Sequence, residues 1–172
     1  YVGDTKGEEI IDYVDTYLSG AAAQTLDTRT VYYYASGAER FAAASNDLIY
    51  SYLTRTVARR GTDFDPAGGV SALKQVSYYM GDEKGEELID WSREYSYGGM
   101  TRKTATIYAY KALGTSPIAD ILDTVSTYKD YRSADTDPAD GTVTAAELAA
   151  FNAAELPSSP EKPVPAATTI KT

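Results

Sequence analysis

Four acidic side chains lie close together towards the carboxyl-terminal end of the chain: Asp135, Asp137, Asp140 and Glu147. Their carboxylates are hard oxygen ligands, and Ca²⁺ takes six to eight such oxygens and offsets their mutual repulsion. The sequence contains no His and no Cys, which excludes thiolate and imidazole metal sites, cysteine nucleophiles and a Ser-His-Asp triad. A calcium site is therefore the chemistry that this segment predicts.

The same segment, residues 128–151, reads YKDYRSADTDPADGTVTAAELAAF and resembles an EF-hand. The resemblance implies a loop with an apolar helix on each side, a sharp turn at Gly141 and one more residue than the usual twelve, because both Pro138 and Ala139 precede the third acid. The ligands that it implies, in the order of loop positions 1, 3, 5, 7 and 12, are Asp135, Asp137, Asp140, the carbonyl of Thr142 and a bidentate Glu147.

An internal repeat runs through the chain. Residues 1–20 and 79–98 are identical at 11 of 20 positions, and weaker matches continue at offsets of 76 and 72 residues. The pattern indicates a tandem duplication of a 70–78-residue unit. We expect a first repeat over 1–78, a second repeat with the EF-hand-like loop over 79–152, and a flexible Pro- and Ser-rich tail over 153–172. The counterpart of residues 70–80 in the first copy is expected upstream of Tyr1.

The corresponding loop of the first copy, residues 63–70, supports a second interpretation of the acidic segment, as a turn that binds no calcium. Both loops keep the pattern D-x-D-P-A-x-G, but the first has Gly68 where the second has Asp140, and it has no acid at the place of Glu147. Asp, Pro and Gly in this order also suit a plain turn that begins a helix. Both interpretations stay open at the level of the sequence.

Apolar residues at three- and four-residue steps predict helices over residues 1–20, 28–60, 70–80, 104–113 and 118–131. In the first of these, Ile10, Ile11, Val14, Tyr17 and Leu18 would share one face. We therefore expect an all-α fold, a bundle of about six helices made of two helical repeats.

Tyrosine is unusually frequent, with 16 residues against three Phe and one Trp. A Tyr ring covers a large area and keeps a hydroxyl for a partner, so Tyr-rich helix faces suit contacts with other proteins or with planar pigments. The alternative is that these rings simply fill the core. The tail is a second candidate for contacts with partner proteins.

The net charge of -9 argues against nucleic acid and anionic lipid as partners. No apolar run reaches the roughly 18 residues of a membrane-spanning helix, so no transmembrane segment is expected. A first residue other than Met suggests a processed, soluble protein of an organelle lumen or of the extracellular space.

Together these features favour a non-enzymatic scaffold or adaptor subunit of a larger assembly. A calcium-binding regulatory module is the first alternative, and an enzyme is the third interpretation. In composition and expected architecture the chain resembles the PsbQ-like four-helix extrinsic subunits of photosystem II and the algal antenna linkers. That resemblance implies a photosynthetic assembly in the thylakoid as the setting.

Overall fold

Runs of Tyr, Thr and Val, residues that favour extended backbone, form strands throughout most of the computed structural model. The structure describes residues 1, 9–20, 25–35, 40–41, 51–61, 72–112, 120–137, 142–156 and 162–163. In chain order the elements are β1 (Tyr13–Tyr17), β2 (Leu26–Ala35), β3 (Arg40–Phe41), β4 (Tyr52–Arg60), β5 (Leu73–Met80), β6 (Leu88–Tyr95), β7 (Thr101–Ala112), β8 (Asp120–Ser133) and α1 (Ala145–Glu155).

The prediction of an all-α bundle of about six helices is wrong. Each segment with a helical apolar period contains strand. Strand β1 lies within 1–20, β3, β4 and most of β2 lie within 28–60, and β5 lies within 70–80. Strand β7 covers most of 104–113, and β8 covers most of 118–131. The apolar spacing resembled that of a helix because the sheet buries aromatic side chains on both of its faces. Adjacent Tyr33 and Tyr34 are both buried, but Tyr33 lies in the main apolar cluster and Tyr34 packs with Ile10 in a second one.

The strands form one antiparallel sheet in the order β1-β2-β4-β5-β6-β7-β8, and the two-residue β3 pairs with β2. Apart from β3, strands that follow each other in the chain are neighbours in the sheet. Such a meander needs only local connections, so both copies of the repeat enter the same sheet. The repeated unit is therefore a set of strands, and the expectation of helical repeats is wrong.

The duplicated residues form the same strand pair twice. Tyr13 pairs with Val31 in β1 and β2, and their counterparts 78 and 76 residues later, Trp91 and Ile107, pair in β6 and β7. Both pairs shift register at the same place, immediately before Tyr17 in β1 and before Tyr95 in β6. A β-bulge fixes the register of a strand pair, so the two copies share side-chain direction as well as sequence.

Helix α1 packs against one face of the sheet and occupies the place in the repeat that β5 holds in the first copy. Its first turn closes with a capping box, in which the Thr144 side chain accepts from the Glu147 N–H and the Glu147 side chain accepts from the Thr144 N–H. The Ala-rich sequence AAELAAFNAAE favours helix, whereas Val76, Tyr78 and Tyr79 favour the strand in the first copy. No helix in the described ranges is long and apolar enough to cross a membrane.

The main core lies between α1 and the sheet. The Phe151 ring of α1 meets the Tyr95 ring edge to face, with 6.2 Å between centroids. Beside it, Tyr78 and Trp91 stack at 4.2 Å. The other buried members of this cluster come mainly from the central strands: Val31, Tyr33, Val57, Leu73, Val76 and Ala134.

Six residues of the predicted tail are described, 153–156 and 162–163. Lys162 forms an ion pair with Asp90, and Pro163 lines a hollow of about 250 Å³ beside Arg93 and Tyr128. These residues contact the chain's own sheet. The first three residues of the predicted tail, 153–155, belong to α1, and residues 157–161 and 164–172 lie outside the described part.

Candidate functional site

A buried carboxylate lies where the end of α1 meets the sheet. Glu155 is the last residue of the helix, and its side chain is 0% exposed. Arg102 of β7 reaches it with Nε 2.9 Å from Oε1 and 2.7 Å from Oε2, and with a second nitrogen 2.7 Å from Oε1. A buried charge is tolerated only when it is paired and hydrogen-bonded, and this geometry provides both.

Further charges surround this pair. Asp130 of β8 accepts a 2.8 Å hydrogen bond from Arg93 Nε and lies 3.6 Å from Arg102. Arg132, at the half-exposed side of the cluster, lies 3.5 Å from Glu155. Three arginines thus meet two carboxylates, and strands β6, β7 and β8 each contribute at least one member. We call these five side chains the arginine cluster: Arg93, Arg102, Arg132, Asp130 and Glu155.

Two tyrosines complete the contacts of the helix end. The Tyr95 hydroxyl donates a 2.8 Å hydrogen bond to Glu155 Oε2, and the Tyr78 hydroxyl donates to the Glu155 carbonyl at 3.2 Å. Burial, with the adjacent Glu155 carboxylate, raises the pKa of Tyr95 well above its ordinary value. The phenol therefore keeps its proton and remains a donor.

The sheet also supplies the positive charge that the helix lacks at its end. The last turn of α1 contains no basic residue. Arg55 of β4 donates instead to the carbonyl of Leu156, the residue that caps the helix. Cations at a helix carboxyl end stabilise its dipole. Because the buried Glu155 carboxylate is held by Arg102 and Tyr95 of the sheet, the arrangement acts as a clamp between α1 and the sheet.

The residues of the EF-hand-like loop lie in the connection between β8 and α1. Asp135 and Asp137 follow β8, Thr142 precedes the helix, and Glu147 lies in its first turn. Asp140 falls outside the described residues. The segment that leads into the loop is strand β8, so the expected entering helix is wrong, whereas the segment that follows is the helix α1.

The carboxylate of Glu147 already has four donors. Oε1 accepts from the Thr136 N–H at 3.0 Å and from the Thr136 hydroxyl, and Oε2 accepts from the Thr144 N–H at 2.9 Å and its hydroxyl at 2.8 Å. The Thr136 hydroxyl, followed by the Thr144 N–H, lowers the pKa of Glu147 to about 2. Glu147 thus ties the loop to the first turn of α1.

One observation keeps calcium open as a hypothesis. Asp135 Oδ1 is buried and has no hydrogen-bond partner in the described part of the chain. A hollow of about 380 Å³ between the end of β8 and α1 is lined by Thr136, Glu147 and Phe151 among others, but Asp135 does not line it. Within the described ranges, no three acidic side chains converge on one point, and the third loop acid, Asp140, is not among them. The calcium site remains a prediction.

The tyrosines divide between the core and the surface of the sheet, so the prediction of Tyr-rich helix faces is wrong. Tyr33, Tyr34, Tyr78 and Tyr95 are buried. On β1, the strand at one edge of the sheet, Tyr13 and Tyr17 are 45% and 47% exposed. Their counterparts in the second copy, Trp91 and Tyr95, are both 3% exposed. The same positions of the repeat are thus covered in one copy and open in the other.

Sequence reasoning missed the arginine cluster. Its one signal in the sequence is Glu155, an acid at the end of an Ala-rich apolar stretch. Arg93, Arg102 and Asp130 lie 62, 53 and 25 residues earlier in the chain, and only the docking of α1 brings them to it. Their pairing therefore depends on tertiary structure that the helical interpretation could not supply.

Compared with protein family models, with curated proteins and with solved structures, the chain has no match in any of the three.

Proposed function

We propose that the chain is a non-enzymatic structural scaffold, a rigid β-sheet module that holds partners at fixed separations in a larger assembly. The observation that carries this proposal is the fusion of the two repeat copies into one sheet. Strand β5, at the boundary between the copies, pairs with β4 on one side and with β6 on the other. Units joined by main-chain hydrogen bonds in this way move as one body.

The arginine cluster supports the same proposal. Its most buried acid is closed off from solvent and is used to fasten α1 to three strands. Such a clamp adds rigidity to the second copy, where the helix replaces a strand. A scaffold benefits from this, because partners bound at its two edges keep their spacing only if the sheet between them does not bend or open.

A calcium-responsive module is the second candidate. Asp135 Oδ1, which is buried and has no hydrogen-bond donor among the described residues, favours it, because such an acid oxygen is suited to a cation. In this alternative Ca²⁺ would bring Asp135, Asp137 and Asp140 together and would compete with Thr136 and Thr144 for Glu147.

The scaffold proposal predicts a fixed distance between the two edge strands. An unbroken row of paired residues crosses the sheet from Val14 in β1 to Lys129 in β8. The row runs through Val14, Thr30, Ala58, Gln75, Glu94, Thr104 and Lys129. Six strand spacings of about 4.8 Å place its ends at most roughly 30 Å apart.

Because the sequence has no Cys, Val14→Cys and Lys129→Cys create two unique positions for spin labels. We expect pulsed electron spin resonance to give one narrow distance distribution for the doubly labelled chain. Protein labelled only at position 14 serves as the control for contacts between molecules. A broad or two-peaked distribution would mean that the copies move against each other, and it would overturn the scaffold proposal.

A further inference from the structure

The outer edge of β1 lacks, within the described residues, the neighbour that its repeat counterpart has. Strand β6 pairs with β5 on one side and β7 on the other, whereas β2 is the one strand that β1 pairs with in the part of the chain that the structure describes. We infer that this edge binds, antiparallel, a strand with the side-chain pattern of β5, supplied by another unit of the same repeat. The inference rests on the proposed scaffold function and names the partner through which the scaffold extends.

The aromatic side chains support this partner. Tyr78 of β5 stacks on Trp91 of β6, the first strand of the second copy, with 4.2 Å between ring centroids, and Trp91 is buried. Tyr13 holds the position of Trp91 in the first copy, and nearly half of its surface is exposed. A β5-type strand on this edge would place its own Tyr on the Tyr13 ring and cover it, as Tyr78 of β5 does for Trp91.

The backbone N–H and C=O groups of β1 are oriented for the same hydrogen bonds that β6 makes with β5. Tyr32 donates its N–H to the Asp12 carbonyl at 3.0 Å, so Asp12 faces β2. Backbone groups alternate along an antiparallel strand, which turns those of Tyr13 and Asp15 to the outer edge. The corresponding residues of β6, Trp91 and Arg93, are those paired with Tyr78 and Val76 of β5.

The edge strand is also held firmly in place. The Asp15 carboxylate forms two 2.6 Å hydrogen bonds with the Arg29 guanidinium of β2, which lowers the pKa of Asp15. The same guanidinium lies 4.2 Å from the centre of the Tyr13 ring. An arriving strand therefore meets an edge that is already ordered, which reduces the entropic cost of pairing.

The register gives a strict test, because the two edges of β5 are chemically distinct. Arg60 of β4 donates its N–H to the Ala72 carbonyl, so alternation along β4 also turns the backbone groups of Thr56 to β5. Its partner Ser77 therefore faces β4, whereas Val76 and Tyr78 turn their backbone groups to β6. On the edge of β1, a β5 peptide would use the N–H of Val76 and leave that of Ser77 free. On the edge of β8, the counterpart of β4, the use of the two N–H groups would be reversed.

The probe is a fluorescein-labelled peptide with the sequence of residues 72–81, titrated with the full chain and followed by fluorescence anisotropy. We expect saturable binding of one peptide per chain. N-methylation at Val76 should weaken binding by about ten-fold or more, since it removes a ladder hydrogen bond and adds a methyl group at the contact. The matched peptide N-methylated at Ser77 should bind within about two-fold of the unmodified one.

A variant of the chain tests the aromatic contact. Tyr13→Ala should weaken binding of the unmodified peptide, whereas Tyr131→Ala, which removes an exposed ring from β8, should leave it unchanged. Circular dichroism of both variants checks that the sheet is intact, and the two N-methylated peptides give the same test on the unaltered chain.

Three results would overturn the inference: no saturable binding of the unmodified peptide, equal binding of both methylated peptides, or loss of binding on methylation at Ser77 alone, which would place the peptide on β8. The spin-label distance separates this from the function itself. A narrow distance without peptide binding refutes the strand partner and leaves the scaffold, whereas a broad distance refutes the scaffold.

Discussion

Arg102 donates from its Nε to both carboxylate oxygens of Glu155, at 2.9 and 2.7 Å. This contact joins strand β7 to the end of a helix 53 residues further along the chain. Glu155 is fully buried and Arg102 is mostly buried, and each has other partners in the arginine cluster. In such an arrangement the net gain from forming the pair is small, but the loss of one partner leaves an uncompensated charge in the interior.

Glu155→Gln therefore tests the clamp at nearly constant side-chain volume. We expect the free energy of unfolding to fall by about 3–5 kcal/mol, because Arg102 keeps its charge and loses the carboxylate that balances it. Urea denaturation followed by circular dichroism gives this value. The control, Glu86→Gln, lies in an exposed turn and should change stability by less than about 0.5 kcal/mol. Equal effects of the two substitutions would refute the clamp.

The pKa of Glu147 predicts how acid affects the start of α1. Its value is lowered from 4.5 to about 2, because the charged carboxylate is the form that accepts from Thr136 and Thr144. The resulting stabilisation is fully present above pH 4.5 and is lost as the pH falls through about 2. Carboxyl chemical shifts measured against pH should show Glu147 titrating near pH 2. A midpoint near 4.5 would mean that the four hydrogen bonds do not form in solution.

Gly99 tests the contact between the turn after β6 and the start of β5. Its φ is +71°, and an added Cβ would lie 2.4 Å from the backbone nitrogen of Leu73. Gly85 has a similar φ of +88° with open space around it, so Gly85→Ala isolates the cost of the backbone conformation. We expect Gly99→Ala to destabilise the fold by about 1–3 kcal/mol more than Gly85→Ala. Thermal melts of the two variants with equal midpoints would contradict this packing.

The scaffold proposal predicts that calcium leaves the melting temperature unchanged. Glu147 already has four donors, so the loop is closed without a cation. Thermal melts in EDTA and in excess Ca²⁺ should therefore coincide. A rise in the melting temperature with Ca²⁺ that Asp135→Asn abolishes would establish the calcium alternative, because a ligand that binds only the folded state stabilises it in proportion to its affinity.

The repeat can be recognised in the sequence, but whether its secondary-structure elements are strands or helices cannot. Identity between residues 1–20 and 79–98 is visible by inspection, and these residues supply β1 and β6. Strand β1 pairs with β2 in the same register in which β6 pairs with β7. The apolar residues of β2 nevertheless fit a helical step, because rings such as Tyr33 and Tyr34 are buried on opposite faces. A strand that is polar on one face would have shown the two-residue alternation that distinguishes it.

Sequence patterns predict local structure where that structure does not depend on the rest of the fold. The pattern T-A-A-E at Thr144 to Glu147 is a capping box, and the helix that leaves the loop is present. The clamp on its far end could not be read in the same way, because Glu155 finds Arg102 only after the sheet has formed and the helix has docked on it.

The wide sequence separation of the contacts at the end of α1 has a consequence for the order of folding. Paired strands of the meander follow each other closely in the chain, whereas Tyr78 reaches Glu155 across 77 residues and Arg55 reaches Leu156 across 101. Contacts between distant residues carry the larger loop-closure entropy and tend to form late. We therefore expect Glu155→Gln to accelerate unfolding in stopped-flow experiments with little change in the folding rate, so that α1 governs how long the finished sheet survives.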